Sequence, residues 1–150
     1  MPEMHSWVEV NQKALINNYE YFCQKLGPEK TTPVLKSNAY GHGIEEVYQI
    51  LSQATHPPKR IAINYLSEGL KLRKKGFQGT LLVVGPILTE ELSEAYKIKA
   101  EITVGCPDLL KHWLLSEEKP TIHIKIDTGM GRQGFTQEEA LTFIPKLQPW

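Results

Sequence analysis

Two stretches of this chain carry side chains suited to chemistry. In VLKSNAYGHG, Val34 to Gly43, a lysine follows two apolar residues and precedes a turn rich in small residues. If Thr32 to Lys36 is a strand, Val34 and Lys36 share a face, and the amine sits at the strand's mouth beside an apolar neighbour. Partial removal from water favours the neutral form of an ammonium, which is a nucleophile toward carbonyl carbon. The alternative is a strand-end lysine reaching into solvent. The residues after it favour the first reading: Ser37, Asn38 and Ala39 are small, Gly41 and Gly43 let backbone approach a ligand, and Tyr40 adds a hydroxyl. A turn of this kind entering a helix suits a phosphate. It lacks the G-x-x-x-x-G-K-[ST] order of a nucleotide P-loop.

The second stretch is IKIDTGMGRQGF, Ile124 to Phe135. Strand alternation places Ile122, Ile124 and Ile126 on one face, with His123, Lys125 and Asp127 on the other. Gly129, Gly131 and Gly134 form a flexible turn that delivers Arg132 to the strand's C-terminal end, where a guanidinium can hold a carboxylate bidentately. A surface salt bridge is the competing role for Arg132. No second histidine or cysteine lies at ligand spacing from His123, which reads as a satisfied inward histidine, and His42 reads as a solvated turn residue.

These groups need a frame, and strands and helices alternate along the chain. Asn11 caps a helix with Leu15, Tyr19, Phe22, Cys23 and Leu26 at helical spacing, ended by Gly27-Pro28. Thr32 to Lys36 then precedes a helix from Ile44 to Leu51. Arg60 to Tyr65 precedes one from Ser67 to Gly76, and Thr80 to Val84 precedes one opening at Thr89. Glu101 to Val104 leads into a helix with Pro107 in its first turn, and Thr121 to Asp127 into one with the capping box Thr136 and Glu139. The count is five βα units. Alternation of this kind implies parallel pairing, in a doubly wound sheet or a (β/α)₈ barrel. Either architecture puts active sites at the C-terminal strand ends, where both stretches fall; only in a barrel do the first and fifth strand ends face a common centre.

Composition narrows the partners. Seventeen Lys plus Arg balance seventeen Asp plus Glu, so no basic footprint for nucleic acid or an anionic membrane is present. No apolar run reaches the roughly 18 residues of a membrane span, and the start MPEMHSWVEV does not read as a secretory signal. A small-molecule substrate and a cytoplasmic address are expected. Cys23 and Cys106 are far apart and read as core thiols; neither a disulfide nor a metal site is indicated.

KSNAYGHG resembles the pyridoxal-phosphate (PLP) attachment motif of alanine racemases, and HIKIDTGMGRQGF resembles their second characteristic stretch. The resemblance implies an α/β fold, a partial (β/α)₈ TIM-type barrel of about five units. It implies that Lys36 carries PLP as a Schiff base and is one of two catalytic bases. Tyr40 would bind the cofactor phosphate, Arg132 would contact both cofactor and substrate carboxylate, and Lys125 matches a position often carbamylated. The family's other base is a tyrosine from the partner subunit's C-terminal domain, to which no segment here corresponds. The expectation is therefore an N-terminal portion of a homodimeric enzyme that interconverts L- and D-alanine for peptidoglycan, inactive by itself. Residues 1–11 are read as a segment that could pair with a C-terminal β domain, and 12–150 as the incomplete barrel. The alternatives are a serine or broad-specificity racemase, a basic amino-acid decarboxylase of the same fold type, a non-catalytic PLP-carrier barrel, and a nucleotide-binding α/β module.

Overall fold

The computed structural model describes residues 6–147, so the first five residues of the N-terminal segment lie outside it. Helix α1 (Gln12–Leu26) begins where expected: the Asn11 side chain accepts the Ala14 N–H, and Gly27, at φ 93°, ends it. Tyr19 and Cys23 are buried, whereas Phe22 and Leu26 of the same apolar stripe stay exposed. The predicted first strand is reduced to a single parallel bridge, Val34 to Ala62. Its hydrogen bonds run from Leu35 N–H to Ala62 O and from Ala62 N–H to Pro33 O. Pro33 has no N–H to donate, and a left-handed turn starts at Ser37, so the pairing cannot extend in either direction.

Four parallel strands follow in sequential order: β1 (Arg60–Ile63), β2 (Thr80–Val83), β3 (Ala100–Val104) and β4 (Ile122–Ile124). Each is connected to the next through a helix: α4 (Leu66–Lys74), α5 (Leu92–Lys97) after a 3₁₀ turn at Thr89–Glu91, and α6 (Pro107–Leu115) with its proline in the first turn. α3 (Ile44–Leu51) precedes β1, and α7 (Gln137–Phe143) follows β4. Thr136 and Glu139 form the expected capping box.

The faces of the sheet differ. Ile61, Ile63, Leu81, Val83, Ile102 and Val104 are fully buried. A Cβ on Gly69 of α4 would touch Ile63 and Leu81 at 3.0 Å, so this face carries the helices at close range. The alternate positions turn to a concave inner face. Toward its N-terminal end, Glu101 accepts from Arg60 at 3.0 Å and lies 2.7 Å from His123 Nε2, so one carboxylate partners both side chains. Outer helices, sequential parallel strands and a polar inner face make this a partial (β/α)₈ barrel. Cys106 corrects one expectation: Cys23 is buried, but Cys106 is exposed in extended backbone just before α6. No helix among the described residues is long and apolar enough to cross a membrane.

Candidate active site

The C-terminal strand ends surround a cavity of about 620 Å³ lined by Lys36, Asn64, Val84, Gly85, Pro86, Thr103, Lys125, Arg132 and Gln133. Lys36, which follows the Val34 bridge, thus meets Lys125 and Arg132, almost a hundred residues away, across one hollow. Three cations line it and no carboxylate does. Among the described residues none of the three forms an ion pair. A ligand with anionic groups fits this field.

The lysine is set by unusual backbone. In the one-turn segment α2 (Lys36–Tyr40), Ser37, Asn38, Ala39 and Tyr40 all have φ between 53° and 55°, a left-handed turn without a glycine. Each such residue costs roughly 1–2 kcal/mol relative to right-handed backbone. Four features hold the turn. Ala39 N–H donates to Leu35 O at 2.8 Å, and Gly43 N–H to Asn38 O at 3.0 Å. The Asn38 side chain accepts the Ile44 N–H at 3.0 Å. The Asn38 N–H itself donates to Glu68 Oε1 at 3.0 Å. The turn leaves Lys36 half-buried, with its amine 5.9 Å from the centroid of the Tyr40 ring. Tyr40 is exposed beside the cavity's lysine and does not line the cavity.

At the start of α3 the Asn38 side chain takes the first N–H, and the first helical turn carries Glu46 and Glu45, the latter paired with Lys75 at 2.9 Å. His42 is exposed, as expected for a turn, and its Nδ1 lies 2.9 Å from Ala39 O.

The arginine loop is built differently. After β4, Ile126 pairs with Phe135 and closes the intervening residues into a loop anchored by the fully buried Phe135 ring. Asp127 Oδ1 accepts the Gly129 N–H at 3.0 Å. The N–H groups of Gly129, Gly131 and Met130, and the charge of Lys125, hold the Asp127 carboxyl below its ordinary range. Gln133 donates to Val84 O at 3.1 Å and ties the loop to the end of β2. Lys125 is half-buried and Arg132 exposed.

Asn64, Thr103, Gln133 and Glu68 escaped the sequence reading, which takes its site candidates from the ends of the first and fifth strands and the turns that follow them. A usable signal existed: Asn64, Val84, Thr103 and Lys125 all fall on the inward parity near the ends of predicted strands. For Glu68, a helical position, no such signal existed.

The fold is a partial α/β barrel whose C-terminal strand ends set three cations around one cavity. Residues 10–149 match the family described as "Alanine racemase, N-terminal domain". The chain belongs to this family. It is 33% identical over 138 residues to the alanine racemase of Desulforamulus reducens, covering 89% of this chain and 37% of that protein. The crystal structure of the Bacillus anthracis alanine racemase with bound L-Ala-P is similar with a TM-score of 0.80 at 30% identity, over 94% of this chain and 37% of the other. A histidine racemase from Leuconostoc mesenteroides has a TM-score of 0.79 over 97% of this chain and 40% of its own; at 23% identity this is a likeness of fold. The chain thus spans about two fifths of the length of the relatives it matches.

Proposed function

We propose that this chain is the lysine-bearing part of a PLP-dependent alanine racemase. The observation that carries the reading is the meeting of Lys36, Lys125 and Arg132 on one cavity with no acidic lining, in a chain of the alanine racemase family. A doubly charged phosphate and an amino-acid carboxylate both fit such a field. When bound, PLP supplies an electron sink for the pair left when the substrate's Cα loses its proton. The chain's residues do the rest. Lys36 would hold the cofactor through its Nζ and, as a free amine, would take and return the Cα proton at that atom on one face. Arg132 would orient the substrate by its carboxylate, and the Tyr40 hydroxyl would donate to the cofactor phosphate. Lys125 faces a cavity it shares with two other cations. Carbamylation would turn like-charge repulsion into attraction toward Arg132.

The second base is a tyrosine of a partner subunit's C-terminal domain. The complete enzyme is then a cytoplasmic homodimer that makes D-alanine for peptidoglycan. Residues 1–150 alone should not racemise alanine at the rate of the complete enzyme. A racemase for serine or a broader set of amino acids is the alternative.

Borohydride reduction of the protein with PLP, followed by peptide mapping, tests the reading. The label is expected on Lys36, with none in Lys36→Ala. A label confined to another lysine would overturn it. Incubation in deuterated water with L- or D-alanine, and separately with serine, then reads Cα exchange and separates the two substrate assignments.

A further inference from the structure

The one buried charged side chain among the described residues is Glu68, 8% exposed, in the first turn of α4. It touches no cation. Its Oε2 accepts the N–H of Asn64 at 2.7 Å and of Tyr65 at 3.3 Å, capping its own helix at the end of β1. Its Oε1 accepts the N–H of Asn38 at 3.0 Å, thirty residues away. One carboxylate therefore joins two strand mouths: Asn64 lines the cavity, and Asn38 is two residues from Lys36. The helix cap needs only one of the two oxygens. The other is spent on a backbone whose left-handed conformation is intrinsically unfavourable. Charge-assisted hydrogen bonds of this kind are about twice as strong as neutral ones.

We propose that Glu68 is the positioning residue for Lys36: its carboxylate pins the left-handed turn at Asn38 and so holds the lysine amine at the cavity mouth, where an aldehyde-bearing anion can meet it. The proposal rests on the reading of Lys36 as the attachment residue. The amine adds to the aldehyde carbon and water leaves, a step that depends on where Nζ stands. Loss of the pin lets the turn relax toward ordinary backbone and carries the lysine away, although no residue touching the ligand has changed.

Glu68→Gln separates the two roles. The amide oxygen can still cap α4 at Asn64 and Tyr65, but the amide NH₂ then faces the Asn38 N–H, donor against donor. Thr136→Ala, which removes the cap of α7 far from the turn, serves as the stability control. Amide exchange is measured on the ligand-free protein, and affinity for PLP is read from the absorbance of the lysine adduct. In Glu68→Gln, exchange should quicken at Asn38 but not at Tyr65, and affinity should fall about tenfold, equivalent to about 1.4 kcal/mol. Thr136→Ala should retain parental affinity even where its melting temperature falls as far. Equal affinity and equal Asn38 exchange in Glu68→Gln and parent would overturn the proposal alone. A parent protein that forms its adduct elsewhere than Lys36 would overturn the attachment reading, and the proposal with it.

Discussion

Gly105, just beyond β3, lies so close to Gly134 that a Cβ on the first would stand 2.9 Å from the amide nitrogen of the second. The end of β3 and the end of the arginine loop thus touch backbone to backbone. That contact, with the Phe135 anchor, lets the loop fold back over the strand ends and bring Arg132 to the cavity that Lys36 lines.

Gly134 is the more demanding of the two positions. Its φ is 128°, and an added Cβ would meet the Asp127 nitrogen at 2.6 Å. Gly134→Ala should destabilise the protein by about 1–3 kcal/mol and displace the loop. Urea unfolding reads the first effect, and weakened binding of a carboxylate inhibitor reads the second. Unchanged midpoint and affinity would show that the loop tolerates another path.

The same loop should loosen in acid. The Gly129 N–H, then those of Gly131 and Met130, depress the Asp127 carboxyl below its reference value of 3.8. A depressed folded value means that the stabilisation is fully present above 3.8 and is lost as pH falls through the lower folded value. Amide exchange at Gly129 should therefore accelerate below that pH, and Asp127→Asn should abolish the acid dependence. A carboxyl titrating at or above 3.8 by NMR would contradict the loop geometry.

At the opposite end of the strands, Arg73 acts as a structural clamp. Its Nη1 donates to Phe77 O at 2.7 Å and Gly79 O at 2.8 Å, while Nε and Nη2 both donate to Ile98 O, at 3.0 and 2.9 Å. A lysine keeps the charge but cannot span three carbonyls with a planar fork. Arg73→Lys should cost about 2–3 kcal/mol. Thermal unfolding at matched pH checks this, and a loss within error would mean that water replaces the guanidinium.

Ser37 offers a gain. It is exposed, at φ 54°, and glycine adopts that conformation without a Cβ penalty. Ser37→Gly should stabilise the fold by about 0.5–1 kcal/mol, the relieved strain exceeding glycine's entropy cost. A lower urea midpoint would show that the serine hydroxyl supports the turn.

Much of the frame was legible in the chain itself. Asn11, the Pro107 first turn and the Thr136–Glu139 box are local signals, because a cap is satisfied by neighbours a few residues away. The alternation read for the last strand, with Ile122 and Ile124 packed on the core and Lys125 lining the cavity, followed from the two-residue period of a strand. Lys36, Lys125 and Arg132 could be named because charged groups at strand ends and glycine turns stand out from their surroundings. Tertiary structure alone decided the rest. The first strand shrank to one bridge because Pro33 and the left-handed turn limit its pairing. The four positive φ values from Ser37 to Tyr40 could not be read from residue types that ordinarily avoid them. The Asn38 side chain braces them locally through the Ile44 N–H, and the Asn38 N–H donates to Glu68, thirty residues away, in a bond that exists only after α4 has docked on the sheet.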